Sequence, residues 1–239
     1  MKIKKLILNI LRSVGFEIKK YNIKNSSDFR LSRFFEIKKI DCLIDVGANS
    51  GQYAEKVRNI GYKNQIVSFE PLKSIFLDLK KKSKNDENWE VFNYGLGDLE
   101  EKKNINISKN SLSSSILEMQ DEHLESDLDS KFVSSELVSI KRLDKLNDYD
   151  FSKYENLFLK IDTQGYEDKV LNGSKNILEK INGLQIEMSI YSMYKKQILF
   201  KEMFDIVENL GFELWDIERT FVNKKTGKIL QIDCIFFKN

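Results

Sequence analysis

The sequence predicts an α/β fold, a mostly parallel β-sheet with helices on both faces. Between residues 42 and 211, short apolar segments alternate with segments whose apolar residues recur at helical spacing. The apolar segments are nearly continuous, which is typical of parallel strands that are buried on both faces. Residues 212–239 break this alternation, because two apolar segments flank a turn-prone stretch and predict an antiparallel hairpin.

Each predicted element follows from its own pattern. Strands are short apolar runs rich in β-branched and aromatic residues, and we expect them within CLIDVGA, QIVSFEP, WEVFNYGLGD, LFLKIDT and LQIEMSI. Helices have apolar residues three or four positions apart, and we expect them over GQYAEKVRNIG, LKSIFLDLKKK, YEDKVLNGSKNILEKI and QILFKEMFDIVENLGF. The closing hairpin pairs FELWDIER with ILQIDCIFF across NKKTGK.

The chain divides into an N-terminal helical extension, residues 1–38, and one domain, residues 39–239, with an insertion or lid at 99–142. In the insertion we predict two short strands and a polar connection that contains the serine cluster NSLSSSIL. The extension begins with a helix, because apolar residues recur at helical spacing with lysines between them, and Gly15 ends it. This helix packs on the domain or on a second subunit, or it lies on an anionic membrane surface.

The composition excludes some classes of protein. With 41% hydrophobic residues, the 239-residue chain can bury a core, which excludes a disordered protein. The 39 basic and 37 acidic residues nearly balance, which argues against a dedicated nucleic-acid binder. Cys42 and Cys234 lie far apart in apolar segments and predict buried free thiols in a reducing compartment, the cytoplasm. No cysteine or histidine spacing indicates a zinc site, and we predict no metal.

The first predicted strand ends in IDVGANSGQY, which combines an acid with a glycine-rich turn. Parallel sheets of this kind bind their ligand at the carboxyl ends of the strands, beside such a turn. Glu70 ends the second strand 25 residues after Asp45, a spacing that suits a carboxylate holding a ribose diol. Asn49 occupies the second glycine position of a dinucleotide-binding turn, so the ligand is expected to lack a pyrophosphate. S-adenosylmethionine, which carries a ribose and positive charges but no phosphate, meets these conditions.

Three alternatives remain open at this point. The turn alone could be a structural corner between a strand and a helix. An NAD(P)-dependent Rossmann oxidoreductase would use the same geometry, although Asn49 and the missing third glycine disfavour it. A non-catalytic interaction protein could retain the fold, although the acids at positions 45, 70, 162 and 187 disfavour a loss of chemistry.

Taken in order along the chain, these motifs resemble those of the FkbM family of S-adenosylmethionine-dependent methyltransferases. The matching stretches are IDVGANSGQYA, VSFEPL, GLGD, SSSIL, LKIDTQGYEDKVLNGSKNIL, LQIEMS and the final GFELWDIE with TGKILQIDCIFF. The resemblance begins near residue 40 and does not extend to residues 1–38. It implies a class I methyltransferase (Rossmann-like) fold, a seven-stranded sheet with a reversed last strand. It also implies O-methylation, commonly of sugar hydroxyls in surface glycans or glycosylated natural products.

The resemblance puts the cofactor against the ends of the first three strands. Asp45 is expected near the ammonium group or its water, and Glu70 is expected on both ribose hydroxyls. Asp98, in GLGD, is expected at the adenine amino group or is, alternatively, a simple turn residue. The other predicted cofactor contacts belong to the turn, to the start of the following helix and to the end of the second strand: Gly47, Asn49, Gly51, Gln52, Tyr53 and Pro71.

The carboxylates at the next two strand ends are the predicted catalytic residues. Asp162 ends the fourth strand and Glu187 the fifth, and either could accept a proton from the acceptor hydroxyl or orient it. Lys160 is the alternative, purely structural partner of Asp162. His123, the single histidine, is either a base carried by a lid or an exposed loop residue. The predicted acceptor contacts are Ser113, Ser114, Ser115, Gln164 and Glu167.

The predicted partners follow from these assignments. The cofactor is S-adenosylmethionine, and the acceptor is a carbohydrate or a glycosylated small molecule and not a nucleic acid. Residues 1–20 are a candidate for peripheral contact with the inner face of a membrane. A second copy of the chain, in a homo-oligomer, is a further candidate partner.

Overall fold

The computed structural model describes residues 2–110, 113–120 and 130–238, and it confirms the predicted fold class. The strands are β1 (Cys42–Val46), β2 (Gln65–Phe69), β3 (Trp89–Phe92), β4 (Gly95–Leu96), β5 (Glu101–Ser108), β6 (Phe132–Lys141), β7 (Leu157–Ile161), β8 (Ile181–Ser189), β9 (Phe212–Val222) and β10 (Ile229–Lys238). Seven of them form one sheet in the order β3-β2-β1-β7-β8-β10-β9. β10 runs antiparallel to both of its neighbours, so the reversed last strand is confirmed.

Helices cover both faces of this sheet. The α-helices of the described residues are α1 (Lys2–Ser13), α2 (Ser27–Ile37), α3 (Gln52–Asn59), α4 (Lys73–Ser83), α5 (Glu167–Asn172) and α6 (Phe200–Asn209), with 3-10 helices at Leu143–Lys145 and Lys175–Lys180. α2, α3 and α4 pack on one face, where Phe35 and Leu79 are buried. α5 and α6 pack on the other face, where Val170 and Val207 are buried. Because side chains alternate along a strand, each central strand contributes apolar residues to both layers.

The segment WEVFNYGLGD, predicted as one strand, forms two. β3 ends at Phe92, and β4 belongs to a second sheet of three strands in the order β4-β6-β5. Asn93 lies at the break, and its side-chain amide donates to the carbonyl oxygens of Glu70 and Pro71, 3.0 Å away in both cases. The chain therefore changes sheets beside the end of β2, a contact that no periodicity in the sequence signals.

The helix predicted over residues 166–181 is also interrupted. α5 ends at Asn172, and a 3-10 helix begins at Lys175. A Cβ atom on Gly173 would lie 1.9 Å from the carbonyl oxygen of Gly97. The backbone therefore approaches the loop after β4 too closely for any side chain, and this approach ends the regular helix.

The second helix of the chain, α2, packs on the core of the domain. α2 lies within the predicted extension, yet its Leu31, Phe34 and Phe35 are buried in the core. The guanidinium group of Arg30 also contacts the carboxylate of Asp216 on β9 at 2.6 Å. We therefore propose that the folded domain includes α2 and begins before the predicted boundary at residue 39. The predicted first helix is present as α1, and no helix in the described part of the chain is long and apolar enough to cross a membrane.

The insertion contains the two predicted strands. β5 and β6 pair antiparallel, and β6 also pairs with the short β4. An apolar cluster joins this small sheet to the start of α4, and its buried members are Leu72, Ile105, Val138 and Ile140. The insertion is thereby fixed beside the carboxyl end of β2, where the predicted ligand site lies.

Candidate active site

The predicted glycine turn joins β1 to α3 and has backbone conformations that few side chains allow. Gly47, Asn49 and Gly51 have φ values of 74°, 47° and 88°. A Cβ atom added to Gly47 would lie 1.9 Å from the carbonyl oxygen of Asp162. A Cβ atom added to Gly51 would lie 2.7 Å from the ring of Trp89. Both glycines are therefore required for these close approaches, whereas asparagine is a residue type that tolerates the left-handed region.

Glu70 follows β2, and its carboxylate closes the turn. Oε2 accepts the N–H of Asn49 at 2.9 Å, and Oε1 accepts the N–H of Leu72 at 2.8 Å. The residue is only 5% exposed. Burial raises the pKa of Glu70 to about 7, although the two N–H groups oppose this shift. The acid after β2 and the turn after β1, which the sequence predicts to lie close together, are therefore in direct contact.

A cavity of about 710 Å³, including its open mouth, lies at the carboxyl ends of β1, β2 and β7. Its polar side includes Asn49, Glu70, Asp162 and Gln164. The three-stranded sheet and neighbouring connecting segments build its apolar side, which includes Leu72, Leu96, Ile105, Ile116, Ile140 and Tyr166. The residues present fit S-adenosylmethionine, because a flat adenine ring needs an apolar wall and a ribose needs a carboxylate such as Glu70.

Gln164 connects the two predicted catalytic carboxylates. Its Nε2 donates to Oδ1 of Asp162 at 2.8 Å and to Oε2 of Glu187 at 2.7 Å. The Tyr194 hydroxyl donates to Oε1 of Gln164 at 2.8 Å, and the Ser115 hydroxyl donates to its carbonyl oxygen at 2.6 Å. Gln164 has a φ of 55°, an uncommon value for a residue other than glycine. We refer to Asp162, Gln164 and Glu187 as the carboxylate array.

The array extends to a carboxylate that sequence reasoning missed. Asp233 on β10 lies directly opposite Glu187 in the strand register and accepts a hydrogen bond from Gln185 at 2.7 Å. Burial raises the pKa of Glu187 well above its usual value, and the charges of Asp162 and Asp233 add to the shift. Burial, followed by the charge of Asp162, raises the pKa of Asp233 to about 6. The sequence does contain a signal for Asp233, because a charged residue inside the apolar segment ILQIDCIFF is costly to bury without a role or a partner.

Asp45 is the buried partner of Lys160. Nζ of Lys160 lies 3.1 Å from Oδ1 of Asp45 and 3.7 Å from Oδ2 of Asp162. Burial alone would lower the pKa of Lys160, but the charges of Asp45 and Asp162 raise it above its ordinary value. Asp45 is fully buried and is not among the cavity-lining residues. Its predicted contact with the cofactor ammonium is therefore not supported, and the lysine predicted as the partner of Asp162 lies closer to Asp45.

The other predicted cofactor residues lie in different places. Pro71 lines the cavity. Gln52 is exposed, and the Tyr53 hydroxyl donates to a glutamine of β8 at 2.6 Å. The carboxylate of Asp98 lies 3.8 Å from a lysine of α5. Among the described residues, these last three do not line the cavity, so their predicted cofactor contacts have no support in the geometry.

Some of the predicted acceptor residues line the cavity and others do not. Ser114 lines the cavity, whereas the Ser113 hydroxyl forms a hydrogen bond with Ser130 at 3.0 Å. Glu167 is buried and accepts the N–H groups of Thr163 and Gly165, both at 3.0 Å. It therefore stabilises the turn after β7, and its predicted contact with the acceptor is not supported. The predicted lid base, His123, lies outside the described residues.

Comparison with known proteins agrees with this geometry. Residues 45–214 match the family model of the methyltransferase FkbM domain. No curated protein sequence matches the chain. Among solved structures, TehB from Haemophilus influenzae has a TM-score of 0.47 at 9% identity, with 88% of this chain and 62% of that chain covered.

Two further structures match over nearly their whole length. An rRNA methylase from Streptococcus thermophilus has a TM-score of 0.47 at 10% identity, with 92% of this chain and 99% of that chain covered. An S-adenosylmethionine-dependent methyltransferase from Mesorhizobium loti has a TM-score of 0.49 at 7% identity, with 91% and 100% covered. At these identities the likeness concerns the backbone, and the substrates named for those proteins are theirs.

The family match agrees with the topology. It covers 170 of the 239 residues, counted from 45 to 214, and it includes the glycine turn, Glu70 and the carboxylate array. The strand order with its reversed β10 is the predicted class I methyltransferase arrangement. The chain therefore belongs to the FkbM methyltransferase family, whose methyl donor is S-adenosylmethionine.

Proposed function

We propose that the chain is an O-methyltransferase that methylates a sugar hydroxyl of a surface glycan or a glycosylated metabolite. The observation that carries this proposal is the carboxylate array, since Asp162 and Gln164 line the cavity and Glu187 is joined to them. A hydroxyl group has to lose its proton as its oxygen is methylated, so a base is needed within hydrogen-bond reach. Carboxylates and a primary amide also provide the acceptors and donors that hydroxyl-rich ligands require.

In this mechanism Asp162 accepts the proton of the acceptor hydroxyl. When bound, S-adenosylmethionine supplies an activated methyl group, so the protein has to align the reactants and remove one proton. Glu70 holds the ribose, and the apolar wall keeps water away from the adenine side. Gln164 is a positioning residue, because its single amide group fixes the direction of both Asp162 and Glu187.

The charge distribution supports a carbohydrate acceptor over a nucleic acid. Residues 25–239 contain 32 basic and 36 acidic residues, a formal charge of −4. A net-negative domain repels a polyanion, whereas a neutral glycan is unaffected. Cys42 and Cys234 are both buried and free, which supports the predicted reducing, cytoplasmic setting.

A methyl-transfer assay with three acceptor classes tests this function. The purified chain is incubated with labelled S-adenosylmethionine and with glycans, RNA or protein, and Asp162→Asn serves as the matched control. We expect label in a base-stable methyl ether of a sugar, and we expect the control to remove it. Label confined to RNA, or label in the glycan that does not depend on Asp162, contradicts the proposal.

Cofactor affinity is expected to rise with pH across neutrality. Glu70 has a pKa of about 7 in the free protein because burial disfavours its charge. Ribose hydroxyls donate to the ionised form, so below this pKa a proton has to leave before binding. The dissociation constant of S-adenosylhomocysteine should therefore increase by up to about tenfold for each pH unit below the pKa. Isothermal titration between about pH 5 and 8 measures this dependence.

Glu70→Gln is the control for that titration. The variant should bind more weakly than the wild type above the pKa of Glu70, and the difference should shrink at lower pH, where Glu70 is also neutral. The affinity of the variant itself should not change through neutrality. A residual slope in the variant would assign the titration to another buried carboxylate, such as Asp233. A wild-type affinity that is independent of pH would contradict the assignment to Glu70.

Methyl transfer is also expected to survive exhaustive treatment with EDTA. Among the residues that the structure describes, no group of three His, Cys, Asp or Glu side chains is arranged to hold a metal ion. The facing oxygens of Asp162 and Glu187 instead accept N–H groups from Gln164, and such donors do not bind a cation. Initial rates before and after chelation provide the measurement. A loss of activity that magnesium or manganese restores would make these carboxylates metal ligands.

A further inference from the structure

Residues 2–24, which we call the leader segment, expose an unusual number of apolar side chains. α1 and the irregular chain after it leave Ile10 55% exposed and Phe16 65% exposed. The other exposed large apolar side chains of the segment are Leu6, Ile7, Val14, Ile18, Tyr21 and Ile23. Single exposed apolar residues are normal, but eight on one short segment indicate a surface that binds a partner or a membrane.

The leader segment is also strongly basic. Between positions 2 and 24 there are seven lysines and arginines and one acid, Glu17, a formal charge of +6. The rest of the chain, with a formal charge of −4, has the opposite sign. The segment therefore combines apolar residues with nearly all the excess positive charge, which is typical of interfacial helices that bind anionic lipid.

The leader residues whose side chains the structure describes make few contacts with the domain. Among these residues the ion pairs are internal, since Arg12 and Lys19 both face Glu17, at 3.7 Å and 3.0 Å. The leader segment contacts α2 near the C-terminal end of the segment, where Tyr21 packs edge-on against Phe29 at a centroid distance of 5.2 Å. A helix of 12 residues is marginal in water unless its apolar face is covered. The domain thus provides no cover for the face that contains Ile7 and Ile10.

We propose that the leader segment docks the protein on the surface of an anionic lipid bilayer. Its basic residues face the lipid headgroups, and its apolar residues enter the boundary between headgroups and acyl chains. A 12-residue helix is about 18 Å long, too short to span the hydrocarbon core, so it lies in the interface. A second copy is the poorer occupant, because two leader segments of charge +6 repel each other.

Docking would orient the active site. The hydroxyl of Ser27, at the start of α2, donates to Glu218 on β9 at 3.1 Å. Glu218 is opposite Asp233 in the sheet, and Asp233 is opposite Glu187. The leader segment therefore joins the domain level with the carboxylate array along the strands, and docking would keep the array near the bilayer. An acceptor carried at the membrane surface would then meet the array directly.

Vesicle flotation with the full chain tests the docking independently of catalysis. We expect binding to phosphatidylglycerol vesicles, no binding to phosphatidylcholine vesicles, and release in about 0.5 M salt, where charges are screened. Ile10→Glu should weaken binding by at least about tenfold, because it puts a charge on the apolar face. Lys19→Glu should weaken it by about fivefold or more, the contribution of one basic residue near an anionic surface.

Two control variants make the same two types of substitution, an apolar residue to glutamate and a lysine to glutamate, on the surface of the domain. Leu77→Glu alters an apolar side chain of α4 that is 51% exposed, and Lys225→Glu alters an exposed lysine of the final hairpin turn. Both should bind vesicles as the wild type does. No binding by the wild type, equal binding to both lipids, or an unaffected Ile10→Glu variant would overturn the proposal. A dimer that Ile10→Glu dissociates, without vesicle binding, would assign the face to a second copy instead.

Discussion

Asp162→Asn is expected to lower kcat by about a hundredfold or more, the low end of general-base contributions. The asparagine amide has the same shape and lines the same cavity, but it cannot take up the proton of an acceptor hydroxyl. The affinity of the variant for S-adenosylhomocysteine should stay within about twofold of that of the wild type, because the lost interaction acts on the acceptor and not on the cofactor. Steady-state kinetics with a sugar acceptor and isothermal titration measure the two effects.

Three further variants make this result specific. Asp168→Asn changes an aspartate in the first turn of α5, outside the carboxylate array, and should keep the wild-type rate. His123→Ala should cost less than Asp162→Asn. If Glu187→Gln abolishes turnover while Asp162→Asn keeps most of it, the base is Glu187, whose burial-raised pKa also suits that role. If His123→Ala alone abolishes turnover, the assignment to a carboxylate is wrong.

Lys160→Met is expected to lower the free energy of unfolding by about 3–5 kcal/mol, the cost of leaving a buried charge without its partner. Lys160 is 6% exposed, and Asp45 beside it is fully buried. In the variant, Asp45 would either remain charged in an apolar layer or bind a proton. Burial raises the pKa of Asp45 even in the wild type, although the charge of Lys160 opposes this shift. The loss should therefore be smallest at acid pH and should grow as the pH rises above the pKa of Asp45 in the folded wild type, which lies above the ordinary aspartate value of about 3.9. Urea unfolding at several pH values measures it.

The double variant Asp45→Asn with Lys160→Met separates the ion pair from simple packing. Removing both charges together leaves two neutral side chains of similar size, so most of the lost stability should return. A double variant as unstable as Lys160→Met would show that the lysine stabilises the fold by its packing. A single variant that loses less than about 1 kcal/mol would place the pair among weak surface ion pairs, contrary to its burial.

Much of the fold could be predicted because its signals are local. β1 and β7 are short apolar runs, and the burial of every residue in them agrees with parallel strands that are covered on both faces. The misassigned elements depend on distant contacts. β3 and β4 are separated by bonds from Asn93 to the residues after β2, and α5 ends where Gly173 meets Gly97.

The candidate site shows the same division. Glu70 and the turn at Asn49 could be paired from the sequence, because the ends of neighbouring parallel strands meet at one edge of the sheet. The bridge that Gln164 forms between Asp162 and Glu187 could not be predicted from the sequence, because it depends on a left-handed backbone conformation at residue 164. Glu167 is predicted from the sequence as an acceptor contact. In the structure its carboxylate is buried and accepts N–H groups of the turn after β7, a contact that depends on how this turn folds.

The sequence by itself determined the fold class, the position of the ligand-binding turn and the strands that carry the carboxylates. These properties depend on periodicity and on strand direction, which are written in neighbouring residues. Only the tertiary structure decided which carboxylates are neutralised and which are open to the cavity. Lys160 has Asp162 two positions further along the chain, just after β7, and Asp45 beside it on β1, and its Nζ lies closer to Asp45. The physical reason is that hydrogen bonds and ion pairs act over about 3 Å, so strand register and packing select among partners that sequence spacing leaves equivalent.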